Sequence, residues 1–192
     1  MSVAMEDLPR RHRITVDEYH RMAEVGLLAP DARVELIEGE IIEMPPIGNR
    51  HAGSVDRLNR LLNRAVGDRA IVRCQSPIQL NDSSEPQPDF ALLASRDDFY
   101  VRQRPTAADT LLVIEVSDTT LRYDLHTKMS LYARHGIPEL WVVDVVRAQL
   151  HVFRNPVGAK YEETASPGAL RTLPIASLPG VAVDLTSLFH QG

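Results

Sequence analysis

The chain reads as an α/β protein built on a mixed β-sheet. Two observations predict this. Helical and strand-like hydrophobic periodicities alternate along its middle, in the order helix, strand, strand, strand, helix, strand. One strand-like run, residues 110–117, is apolar on both alternating faces, as a central strand covered on both sides would be. No internal repeat or linker divides the sequence. Residues 1–13 read as a flexible arm, and residues 14–192 as a single domain.

The elements come in this order. Thr15 and Glu18 have the spacing of a capping box, and Tyr19, Met22, Ala23 and Leu27 continue it at helical spacing until Gly26 and Pro30. Residues 34–37 and 40–44 flank Glu38-Gly39 as a tight hairpin. Pro45, Pro46 and Gly48 interrupt the chain. Val55, Leu58, Leu62 and Val66 then predict a helix over about 51–66. Strands are expected at 70–80, 89–94 and 110–117. A second helix is expected over 120–135, closed by Gly136 and Pro138. Residues 140–146 read as a buried strand and 150–154 as its partner across a short turn. The Pro-, Gly- and Ser-rich tail predicts loops with one or two edge strands.

Composition narrows the function. Hydrophobic residues at 44% and charged residues at 24% describe an ordinary globular protein. The single cysteine, Cys74, excludes an internal disulfide and fits a cytoplasmic setting. No run is long or apolar enough for a membrane helix, and the N-terminus lacks the apolar centre of a secretory signal. A net charge of −5 argues against a protein that coats nucleic acid by bulk electrostatics. Of 21 basic residues, only Lys128 and Lys160 are lysines, so each raises a question.

Three residues carry candidate chemistry. Glu115 interrupts the apolar run LLVIEVS, and a buried carboxylate there needs a cation, a basic side chain or a metal. A structural ion pair and a functional acid both satisfy that need. Asp89 follows Pro88 and opens the run FALLA; alone it also reads as a loop acid. Lys128 sits at the edge of a helix face defined by Leu125, Met129 and Tyr132. Its ammonium either reaches the sheet or pairs with Asp124 on the surface. Together, two acids and a lysine compose the metal and water site of a phosphodiester hydrolase. Two hard carboxylates suit Mg²⁺ or Mn²⁺, and the lysine is placed to orient the attacking water.

A resemblance joins these residues. Pro88-Asp89, VIEVSD at 113–118 and YDLHTKMSLYARHGIPELWVVD at 123–144 look like the signature of the Uma-type restriction endonuclease-like family, within the PD-(D/E)xK nuclease superfamily. RVELIEGEIIEM at 33–44 and LPGVAVDLTSLF at 178–189 extend the match over nearly the whole chain. The resemblance implies a restriction-endonuclease-like core, a divalent metal, DNA as substrate and cleavage leaving a 5′-phosphate. It places the metal acids at Asp89 and Glu115. The chain departs from the superfamily motif at Ser117, where a lysine is expected; that lysine has moved to the following helix as Lys128.

Accessory candidates complete the reading. Glu35 is either a further acid near the site or an exposed hairpin residue beside Arg33. His51 is either a phosphate-side group or a surface histidine. Arg57, Arg60 and Arg64 are candidate DNA-backbone contacts or simply a solvated helix face. A homodimer is a candidate assembly, since paired sites cut both strands. The alternative to a nuclease is a catalytically inactive domain on the same fold that binds nucleic acid or protein. A phosphodiesterase acting on RNA or another phosphate ester is a third reading.

Overall fold

The computed structural model describes residues 11–168 and 172–189. Residues 1–10 of the expected arm lie outside the described residues. A six-stranded sheet organises the chain, in spatial order β3-β4-β5-β6-β7-β8. The strands are β3 (Ala70–Cys74), β4 (Phe90–Ala94), β5 (Thr110–Ser117), β6 (Glu139–Asp144), β7 (Gln149–Val157) and β8 (Lys160–Ala165). Only β5 and β6 run parallel; every other pair is antiparallel. The sheet is therefore mixed, as expected. A hairpin of β1 (Val34–Ile37) and β2 (Glu40–Glu43) and a ribbon of β9 (Thr172–Pro174) and β10 (Ala182–Asp184) stand apart from it.

Two apolar layers fix the architecture. On one face, Val55, Leu58 and Leu62 of α2 (Asn49–Val66) meet Phe90, Leu92, Leu112, Ile114 and Trp141, with the C-terminal ribbon beside them. On the other, Ala91, Leu93, Val113 and Val142 pack against Tyr132, Ala133 and Ile137. Alternation along β5 thus sends Ile114 and Val116 towards α2, and Val113 and Glu115 towards the second helix. That helix is the crossover joining β5 to β6, which a parallel pair requires. It starts as α3 (Leu121–Tyr123), widens into a π-helical stretch (Asp124–Lys128) and ends as α4 (Met129–Arg134). No helix among the described residues is long and apolar enough to cross a membrane.

Local sequence accounts for the smaller elements. The capping box of α1 (Val16–Glu24) forms, with Thr15 and Glu18 exchanging hydrogen bonds. Glu38 and Gly39 both have positive φ, +51° and +77°, the geometry of a two-residue hairpin turn. Position 39 also requires glycine for space: a Cβ there would lie 2.5 Å from the Cβ of Arg13. Arg13 donates to the Glu38 carbonyl, and Ile14 N–H to the Gly39 carbonyl, so the chain just before α1 is tied to this turn. The expected strand over 70–80 is shorter than the sequence suggests. It ends at Cys74, because Gln75 turns at φ +43°. The tail does supply an edge strand, β8, but β9 and β10 pair with each other and pack under the α2 face.

Glu139 clamps that tail to the sheet. Fully buried, its Oε1 accepts from Trp141 Nε1 and Arg154 Nε, each at 2.8 Å, and its Oε2 from Ala176 N–H at 2.7 Å. Glu139→Ala strands these donors, and truncating one partner of a buried ion pair costs about 3–5 kcal/mol. The urea unfolding midpoint of that variant should fall accordingly.

Candidate active site

Because β4 runs antiparallel to β5, the start of β4 lies beside the end of β5, with Phe90 opposite Ile114. Asp89 precedes β4 by one residue. Its carboxylate therefore reaches the Glu115 end of β5 and accepts a hydrogen bond from Val116 N–H at 2.8 Å. Asp89 and Glu115 line one pocket of about 260 Å³, together with Asp118 and Asp124.

Lys128 lies behind Glu115, and its side chain is completely enclosed. Its Nζ is 3.1 Å from Glu115 Oε1 and 3.1 Å from Glu35 Oε2. One ammonium thus bridges the sheet and the β1–β2 hairpin. The inward face reaches further round the helix than Leu125, Met129 and Tyr132: Leu125 and Met129 are partly buried and pack against the core, and Asp124 and Lys128 are buried with Tyr132. Spaced by four residues, Asp124, Lys128 and Tyr132 share one side of the helix. The surface pair between Lys128 and Asp124 is excluded. Asp124 accepts from Ser117 and Thr120 hydroxyls at 2.7 and 2.6 Å.

Glu35 is no exposed hairpin residue. It is 1% exposed, accepts from Gln87 N–H at 3.1 Å, and leaves its Oε1 buried without a partner. His51, in the first turn of α2, is mostly buried and lies 3.1 Å from Asp89 through its Nε2. Gln75 Nε2 also donates to Asp89 at 3.2 Å. Arg57 is engaged elsewhere, donating to the carbonyls of Ser187 and Leu188. Arg60 and Arg64 are exposed, further along α2 and away from its pocket end.

The electrostatics derive from burial. Loss of hydration pushes Glu115 up to about 8, against the pull of Lys128, with Asp124, Asp89 and Glu35 adding to the rise. Asp124 is raised chiefly by burial too. For Lys128 burial acts downward, but the charges of Glu115, Glu35 and Asp124 outweigh it and hold the ammonium above its usual range. The hydrogen bond to Asp89 raises His51. Asp89, Glu115, Asp118 and Asp124 thus line the pocket beside Arg33 and His51, and the enclosed Lys128 behind them is shared with Glu35.

This cluster of carboxylates suits a divalent cation. Asp89 and Glu115 offer hard oxygen donors. Among the described residues no three His, Cys, Asp or Glu side chains form a ready-made ligand cage. Mg²⁺ suits such a site, because it takes one or two carboxylates and keeps several waters.

Sequence reasoning does not assign Tyr132, Gln75 or Asp118 to the site. Tyr132 donates to Glu115 Oε1 at 2.6 Å. Its spacing is the available signal: Asp124, Lys128 and Tyr132 recur every four residues along one helix.

Residues 16–186 match the model of the Uma2 family, described as "Putative restriction endonuclease". The chain belongs to this family. A crystal structure from Anabaena variabilis, described as a "putative nuclease belonging to DUF820", shares the fold of this Uma2 protein. Its TM-score is 0.70 at 20% identity, covering 92% of this chain and 97% of that one. No curated protein matches the chain significantly.

The raised Glu115 sets a stability dependence. The folded protein holds its proton up to about pH 8, whereas the unfolded chain releases it near 4.5. The contribution is complete below 4.5 and is lost progressively as pH rises to about 8. Without divalent ions, the melting temperature of the wild type relative to Glu115→Gln should therefore decline from pH 6 to pH 8.

Proposed function

We propose that this Uma2 protein is a Mg²⁺- or Mn²⁺-dependent endonuclease that hydrolyses DNA phosphodiester bonds. The observation that carries the reading is the placement of Asp89 and Glu115 on one pocket wall, backed by the enclosed ammonium of Lys128. Asp89 and Glu115 would hold the cation. When bound, the cation polarises the phosphate and lowers the pKa of a water.

The chain's own residues have distinct tasks in this reading. Lys128 is absent from the pocket wall, so it acts through Glu115: it holds the carboxylate in place and keeps positive charge beneath the site. This differs from direct contact with the attacking water, the role its residue type suggests. Glu35 holds Lys128 from the other side. His51 steadies Asp89 from the pocket rim. The first turn of α2, capped at Gly48 without a side-chain hydrogen bond, borders the pocket beside Arg50. Open backbone amides and an arginine suit a DNA phosphate, and they replace Arg57 as candidate backbone contacts. Cutting both strands of a duplex calls for two such sites, and a homodimer is part of the proposal.

The test is direct. Purified protein should nick supercoiled plasmid with Mg²⁺ or Mn²⁺ and leave 5′-phosphate ends. Asp89→Ala should lower the rate by more than roughly a hundredfold while the protein still folds. Wild-type cleavage by that variant sinks the assignment. Divalent-ion binding without cleavage of any DNA or RNA supports the inactive binding domain instead.

A further inference from the structure

Tyr132 is fully buried on α4, one turn beyond Lys128. Phenylalanine would fill the same apolar volume, and a buried hydroxyl is costly unless it is bonded. Here the hydroxyl donates to Glu115 Oε1 at 2.6 Å, the same oxygen that Lys128 Nζ approaches at 3.1 Å. Two donors on one oxygen occupy it. No protein donor among the described residues reaches Glu115 Oε2, and Glu115 lines the pocket. The carboxylate is therefore asymmetric: one oxygen is held by the helix, and the other is left for a ligand.

We propose that Tyr132 is a positioning residue that makes Glu115 a single-oxygen metal ligand and thereby favours Mg²⁺ over Ca²⁺. The inference rests on reading Asp89 and Glu115 as the metal pair. Its logic is coordination geometry. Mg²⁺ demands a near-ideal octahedron of single-oxygen donors at about 2.0–2.1 Å, whereas Ca²⁺ accepts bidentate carboxylates in flexible shells. Holding Oε1 prevents the bidentate mode. Partners of this kind, one bond removed from a metal, typically govern affinity by about 10–100-fold. Glu35 supports the same arrangement from behind, because it fixes the ammonium that shares Oε1 with the phenol.

The experiment is calorimetric titration of wild type and Tyr132→Phe with MgCl₂ and with CaCl₂, alongside thermal melts of both proteins without metal. The variant should bind Mg²⁺ roughly tenfold or more weakly, with Ca²⁺ affinity unchanged or tighter. A merely structural tyrosine would weaken both ions together or lower only the melting temperature. An unchanged Mg²⁺-to-Ca²⁺ ratio overturns the inference alone. Absence of Mg²⁺ binding by the wild type overturns the metal reading and this inference with it. If Tyr132→Phe fails to fold, the infrared carboxylate bands of the wild type decide. The Glu115 bands, identified by their loss in Glu115→Gln, should split with Mg²⁺ as for a single-oxygen ligand; a bidentate splitting refutes the proposal.

Discussion

A single buried ammonium, shared between Glu35 and Glu115, is the constraint on which the site depends. Lys128 is 0% exposed, and both of its acids are nearly so. Removing these charges from water costs several kcal/mol each, which mutual attraction repays only if the geometry is tight. Three separate elements must therefore be brought into register: the β1–β2 hairpin, β5 and the helical crossover. Main-chain bonds do the rest for the hairpin, which has no place in the main sheet. Glu85 N–H donates to the Leu36 carbonyl, and Gly39 N–H to the Ser83 carbonyl. The ion pair thus ties a peripheral element to the central strand, directly behind the pocket.

The same cluster is crowded with acids. Glu35, Glu115, Asp89 and Asp124 gather around one lysine, and Asp118 is turned towards Arg50 at the pocket rim. A fold selected for stability alone would fill such a volume with hydrocarbon, which is often neutral or better than buried charge. Acids raised by burial, as Glu115 and Asp124 are, are characteristic of functional sites. In the proposed function, the pocket in front of Asp89 and Glu115 is where a cation would enter.

How much of this is legible in the sequence depends on how local its cause is. Glu115 announces itself, because one acid in an eight-residue apolar strand needs a partner. The order of elements and the mixed sheet are legible from periodicity. Lys128 is harder to read. Periodicity at 100° per residue puts it on the edge of a face, where a lysine also reads as a surface side chain. Glu35 is easily misjudged, because a hairpin acid next to an arginine resembles a surface residue. Yet alternation puts Glu35 on the same face as Ile37, and both are buried. The acid within VELI poses the same question as the acid within LLVIEVS. Arg57, Arg60 and Arg64 look like one basic stripe. Only the structure shows the first of them spent on the C-terminal carbonyls, a contact 130 residues away in sequence.

Ser117, where the resemblance leads one to expect a lysine, has a different task in the structure. Ser117 lies two residues after Glu115, so strand alternation points both to the helix side of the sheet. A lysine there would reach the acids from the strand. Instead, the fully buried Ser117 hydroxyl donates to Asp124, the residue on which the helix widens. Thr120 donates to the same Asp124 oxygen, and Asp124 N–H bonds back to the Thr120 carbonyl. The start of the π-helical stretch is thereby pinned to the end of β5. Four residues later the chain delivers Lys128 to Glu115. Ser117 is thus part of the mechanical link that sets where the Lys128 ammonium goes, and the two positions are coupled through Asp124.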